Sequence, residues 1–156
     1  MLTTSRRVVL SVSLAAGLAL AGAGSAVAAP PAKAGKSLST ALTPAQEVAP
    51  FIGIAGASGQ ADLRLNVGQG TICVDLTTSG FDLELAHIHE GAAGTNGGVV
   101  VDFTSLISGS SAVGCVDVDR ALVKEISKDP ADYYVNTHAG LPGTDGFFQG
   151  IRGQLG

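Results

Sequence analysis

Apolar residues in the middle of the chain recur at every second position, and that period narrows the fold more than any other feature. Leu63, Leu65 and Val67 alternate with Asp62, Arg64 and Asn66, and Ile72, Val74 and Leu76 alternate with Cys73 and Asp75. A period of two describes strands that turn one face to a core and the other to water. Gly68-Gln69-Gly70 lies between these two runs and joins them as a hairpin. "FDLELAHIHE" reads as a third strand and "VVVDF" as the next, across a loop from Gly91 to Gly98 in which Asn96-Gly97 is expected to supply the positive φ. "VGCVDV", "DYYVNTHAG" and "FFQGIRGQLG" supply further strands, and "ALTPAQEVAP", with Pro44 and Pro50, suits an edge strand or extended arm. One helix is expected after Asp119, which can cap it. Leu122, Val123 and Ile126 share a side, and Asp129-Pro130 ends it. With 22 glycines and no tryptophan, the texture is that of short strands joined by turns, and the expected fold is an all-β Greek-key sandwich. It should hold about seven to nine strands and one short helix.

The first residues read as an export signal over residues 1–28: Arg6-Arg7 are basic, Val8 to Ala21 are apolar, and Ala26-Val27-Ala28 offers an A-x-A cleavage site. The apolar run is too short for a membrane span, so no transmembrane segment is expected. The pattern suits Sec or twin-arginine export and implies a secreted, extracellular protein. Residues 29–40 are rich in Pro, Ala, Ser and Lys and read as a flexible linker, leaving residues 41–156 as one domain. Without the leader, 7 basic residues face 13 acidic ones. That balance argues against nucleic acid and anionic membrane as partners.

Cys73 and Cys115 are the two cysteines. In an exported chain such a pair reads first as a disulfide; the alternative is a thiolate metal ligand, although neither neighbours a histidine. His87 and His89 share one strand face, with Cα atoms about 6.6–6.8 Å apart, so both can reach one ion. His138 lies on another strand and can supply a third nitrogen, with Glu90 or water completing a copper or zinc shell. The competing reading gives all three histidines hydrogen-bonding roles within the sheet. Asp75, Asp82, Asp102 and Asp117 are read as solvated-face or turn-capping groups. Arg152 is read first as structural, holding a carboxylate, and second as an anion site beside the histidines. Tyr133 and Tyr134 are expected to be one core and one surface ring. The chain lacks a G-x-S-x-G elbow and an H-E-x-x-H pair, and Gly91 to Gly98 joins strand to strand and makes a poor phosphate cradle.

"LTPAQEV", "AHIHEGAAGTNGGVVVDF" and "YYVNTHAGLPGTDGFFQGIRGQL" resemble, in order, three blocks of the CHRD domain, the module repeated in chordin and present singly in secreted bacterial proteins. The resemblance covers residues 38–156. It implies a non-catalytic extracellular binding module whose ligand, a protein or a metal ion, is unspecified. Thr144 to Phe148 lengthen the family's usual path to its I-R-G-Q-L ending, which makes Phe147 and Phe148 candidates for a partner-binding surface. A weaker likeness, to Cu,Zn superoxide dismutase, rests on the H-x-H, the later histidine and an immunoglobulin/superoxide-dismutase-like sandwich. Three histidines are too few for that enzyme's dinuclear centre. Two other expectations stand beside the binding module. One is a mononuclear copper or zinc protein for sequestration or dismutase-like redox chemistry; the other is a structural envelope protein.

Overall fold

The computed structural model describes residues 35–139 and 149–156; the expected leader, residues 29–34 of the expected linker, and Phe147 and Phe148 lie outside them. Among the described residues the strands are β1 (Lys36–Leu42), β2 (Ile52–Gly53), β3 (Ser58–Asn66), β4 (Thr71–Ser79), β5 (Leu83–Glu90), β6 (Val99–Asp102), β7 (Ile107–Ser108), β8 (Ser111–Asp117), β9 (Tyr133–Ala139) and β10 (Gln149–Gln154). One α-helix, α1 (Arg120–Lys128), joins β8 to β9. The strands form two five-stranded sheets, ordered β1-β3-β4-β8-β7 and β2-β10-β9-β5-β6. This is the expected all-β sandwich. After the β5–β6 hairpin in the second sheet the chain returns to place β8 beside β4 in the first, which is a Greek-key connection.

The alternating sequence sets the register. Leu63 lies opposite Val74 and Leu65 opposite Ile72, and these four residues are buried against the second sheet, whereas Asp62 and Asp75 are paired on the exposed side. Cys73 and Cys115 are directly opposite each other in the β4–β8 ladder and form a disulfide on that outer face. In the second sheet Ala86, Ile88, Val135, Tyr133 and Ile151 face the core, each at most 2 % exposed. Thr43, just past β1, exchanges two backbone hydrogen bonds with Arg152 of β10, at 2.9 and 3.2 Å, and so ties the β1 edge of the first sheet to β10 of the second.

The helix follows its sequence signals. Asp119 accepts a hydrogen bond from the Ala121 N–H at 2.7 Å, Val123 and Ile126 are buried, and Pro130 follows the C-cap. No helix among the described residues is long and apolar enough to cross a membrane.

Three local expectations are corrected. Residues 36–40, read as linker, belong to β1, whose hydrogen-bonded pairing with β3 needs no strong apolar period. The positive φ of the β5–β6 loop falls on Gly94, at 79°, and not on Gly97. Gly97 is needed for a different reason: a Cβ there would stand 1.5 Å from the Glu90 carbonyl oxygen. Both tyrosines are buried, Tyr133 in the apolar core and Tyr134 on the opposite face of the sheet.

Replacing both Cys73 and Cys115 by serine should lower unfolding stability by about 2–4 kcal/mol, because the bridge closes a loop of sequence separation 42. Denaturant unfolding checks this, and an unchanged midpoint contradicts it.

Candidate metal site

The outer face of the second sheet is unusual for a sandwich, since it is polar and yet dry. On β9 every residue from Tyr133 to Ala139 is buried, so both faces of this strand are covered. Register explains which residues meet there. Leu85, His87 and His89 of β5 lie opposite His138, Asn136 and Tyr134 of β9, which in turn lie opposite Gly150, Arg152 and Gln154 of β10. His87, His89, His138, Asn136 and Arg152 are between 1 % and 9 % exposed.

The three histidines converge. Each offers a ligand nitrogen, and these nitrogens all lie within 4.8 Å of one another. The His87 ring centroid is 5.6 Å from that of His89 and 6.1 Å from that of His138. Nitrogens about 2.0–2.1 Å from one ion stand about 3.4 Å apart in a tetrahedral shell, so small ring movements complete the approach.

Neighbouring groups set the tautomers. His89 Nδ1 is 3.0 Å from the Gly97 carbonyl oxygen, so it carries the proton and donates, leaving Nε2 as a lone pair; that atom is buried with no hydrogen-bond partner among the described residues. The close approach of Gly97 to Glu90, which excludes a side chain, is what brings this carbonyl over the ring. His87 Nε2 is 3.5 Å from both Asp102 Oδ1 and Thr104 Oγ1, at the outer limit of a hydrogen bond. Its Nδ1 is buried and unpartnered among the described residues. Asp102, 64 % exposed, is itself fixed by the Thr104 N–H at 2.7 Å. Its pKa is lowered, first by the hydrogen bonds from Thr104, which holds a carboxylate beside His87.

Burial lowers the pKa of both His87 and His89. For His87 the effect of Asp102 opposes this, and for His89 the bond to Gly97 does. Both rings are therefore neutral near pH 7, the form that binds metal.

Among the described residues Arg152 holds no carboxylate. Nη1 donates to the Thr95 carbonyl at 2.7 Å, and Nη2 donates to the Ala92 carbonyl at 3.3 Å and to Gln154 Oε1 at 2.9 Å. Its Cζ is 3.3 Å from the centroid of Tyr134, whose ring is stacked with His89 at 4.9 Å. The arginine thus fastens the 91–98 loop over the sheet. The expected ligand Glu90 is exposed, next to His89 on the strand, and lies opposite Tyr133, so strand alternation turns it from the cluster. Asp75, Asp82 and Asp117 are exposed, as their solvated reading requires.

Sequence reasoning missed Glu47, Asn136 and the role of Asp102. Burial pushes the Glu47 carboxyl up to about 7, against the lowering effects of Arg152 and of Asn136, whose amide lies near without completing a hydrogen bond. Nothing in "LTPAQEV" marks its glutamate as buried, because the covering comes from distant segments.

A carboxyl whose pKa rises on folding binds its proton more tightly in the folded state. Glu47 therefore adds stability that is full below the ordinary value of 4.5 and is lost as pH climbs through about 7. His87 and His89 act oppositely, and stability falls as pH drops below their ordinary 6.5. Glu47→Gln should accordingly gain stability relative to the wild type between about pH 5 and pH 8 in thermal melts of metal-free protein. Parallel curves for the two proteins contradict this.

Comparison with curated proteins and with solved structures found no match. The family model described as CHRD domain matches residues 38–155, from within β1 to just past the end of β10, and includes all three histidines. The chain belongs to the CHRD domain family.

Proposed function

We propose that this CHRD domain is a metal-binding module, with a single copper or zinc ion held by His87, His89 and His138. The observation that carries the reading is the convergence of three buried imidazoles from two adjacent strands, within 4.8 Å, with lone-pair nitrogens on His87 and His89 that have no partner among the described residues. Unsatisfied buried nitrogens are costly in a sheet built only for packing, and neutral imidazoles suit copper and zinc. Both cysteines are in the disulfide, so the donor set is nitrogen and not thiolate. The family supports a binding role, and the disulfide fits an oxidising compartment outside the cytoplasm, reached by way of the leader read in residues 1–28.

Within this reading His87, His89 and His138 hold the ion. Gly97 orients His89, and Asp102 with Thr104 orients His87. Three protein ligands leave a coordination position for water or an exogenous ligand, and a bound copper ion would add one-electron redox capacity to sequestration.

The full chain, purified without a histidine tag, should bind one equivalent of copper or zinc by titration and elemental analysis. His87→Ala and His138→Ala should abolish stoichiometric binding. Asp102→Asn should weaken it by about tenfold, the low end for a group orienting a ligand, because Asp102 is largely exposed and 3.5 Å from the ring. Wild-type protein that binds no metal, with histidine variants that are merely less stable, contradicts the reading.

A further inference from the structure

Arg152 is the buried cation that the metal reading leaves without a part in the site's chemistry. Its guanidinium is 1 % exposed, and each acceptor it finds among the described residues is neutral: the carbonyls of Ala92 and Thr95 and the Oε1 of Gln154. Held in this way, its charge is neither cancelled by an ion pair among those residues nor screened by bulk water. It also stands close to the histidines. Cζ lies 3.3 Å from the centroid of Tyr134, and that ring is stacked on His89 with centroids 4.9 Å apart and planes 7° apart. At most two stacking distances therefore separate the charge from a metal ligand, and its field acts on the His89 ring. Negative charge on the face is weaker. The converging donors are His87, His89 and His138, with no carboxylate or thiolate in the group. Asp102 meets His87 from the side, 3.5 Å away, but is 64 % exposed, so water screens it. Glu47 is coupled electrostatically to Arg152 and is not among the converging donors.

We propose that Arg152 sets the ion specificity of the site, biasing the three imidazoles toward monovalent copper, Cu⁺, and against divalent zinc. The proposal rests on the metal-site reading above and narrows it. Three neutral nitrogens leave the whole charge of the ion uncompensated on a dry face. The Born cost of desolvation grows with the square of the charge, so a divalent ion costs about four times as much to bury as a monovalent ion of the same size. Its repulsion from Arg152 is about twice as large. Coordination number works in the same direction. Zinc on three protein ligands completes a tetrahedral shell with water, which a face whose histidines are at most 9 % exposed resists, whereas three nitrogens satisfy Cu⁺. Imidazole accepts both metals, so charge and not donor type makes the distinction.

Untagged full chain is titrated with Cu⁺ without oxygen, in competition with a chromophoric Cu⁺ chelator, and separately with Zn²⁺ against a zinc chelator. Wild type should bind one Cu⁺ at least about 100-fold more tightly than Zn²⁺. Arg152→Lys, which keeps the charge, should keep that ratio, and Arg152→Gln should move it toward zinc by roughly tenfold. The ratio is taken within one protein, so loosened packing that weakens both ions alike does not move it. Asn136→Asp tests the same charge argument with Arg152 in place. It puts a carboxylate opposite His87 in the register, retains the Oδ1 that accepts from the Thr137 N–H at 2.9 Å, and should also move the ratio toward zinc. Zinc bound by wild type as tightly as Cu⁺ overturns the proposal while leaving the metal site standing. A ratio unmoved by both Arg152→Gln and Asn136→Asp overturns it as well, by removing charge as the cause. Wild type that binds neither ion overturns the metal reading, and this proposal with it.

Discussion

A guanidinium that is 1 % exposed must find acceptors inside the protein, and the acceptors that Arg152 finds determine much of what surrounds it. They are the carbonyls of Ala92 and Thr95 and the side chain of Gln154, and binding them draws the β5–β6 loop across the outer face of the second sheet. Tyr134 completes the arrangement, with Arg152 on its ring from β10 and His89 stacked on it from β5. Its hydroxyl accepts from the Gly97 N–H at 3.2 Å, and Asn96 donates to the carbonyls of Val48 and Ala49, which fastens the segment carrying Glu47 to the same loop. One buried cation therefore organises two loops, and the two loops make a face that would ordinarily be wet into a dry one.

The chemistry follows from that dryness. Imidazoles on a solvated sheet face would sit near their ordinary pKa and hydrogen-bond to water. Here desolvation keeps His87 and His89 neutral, and the loop that excludes water also supplies the Gly97 carbonyl that selects the tautomer of His89. The same burial pushes the Glu47 carboxyl up to about 7, so the face combines lone-pair nitrogens with a carboxyl that binds its proton more tightly than usual. Asp102 is the exception: it stays exposed and ionised at the β6 edge, where it meets His87.

Alternation and capping make the first sheet and the helix readable from the sequence alone. Leu63, Leu65, Ile72, Val74 and Leu76 face inward as their spacing requires, the cysteines fall on the opposite face, and Asp119 caps α1. The spacing of His87 and His89, and the shared face of Tyr134, Asn136 and His138, were also legible, because strand geometry alone fixes them. What the pattern could not carry is burial of a polar face. Period two says which residues point together, not whether loops from far along the chain will cover them, so one of the two tyrosines read as a surface ring, and Asp102, read as a solvated or turn-capping group, was not read as the partner of His87. Glu47 lies outside any regular strand, and Gly97 was assigned a backbone conformation when its constraint is the close approach of Glu90. Both errors concern contacts between segments distant in sequence or folded tightly on themselves, which residue types alone do not encode.

The most direct measurement is an anomalous difference map, at the copper or zinc absorption edge, from crystals of untagged protein equilibrated with one equivalent of the ion. The account predicts one strong peak bounded by His87, His89 and His138, with a nitrogen of each at about 2.0–2.1 Å. Absence of that peak, or anomalous density confined to exposed carboxylates such as Asp102, would contradict it.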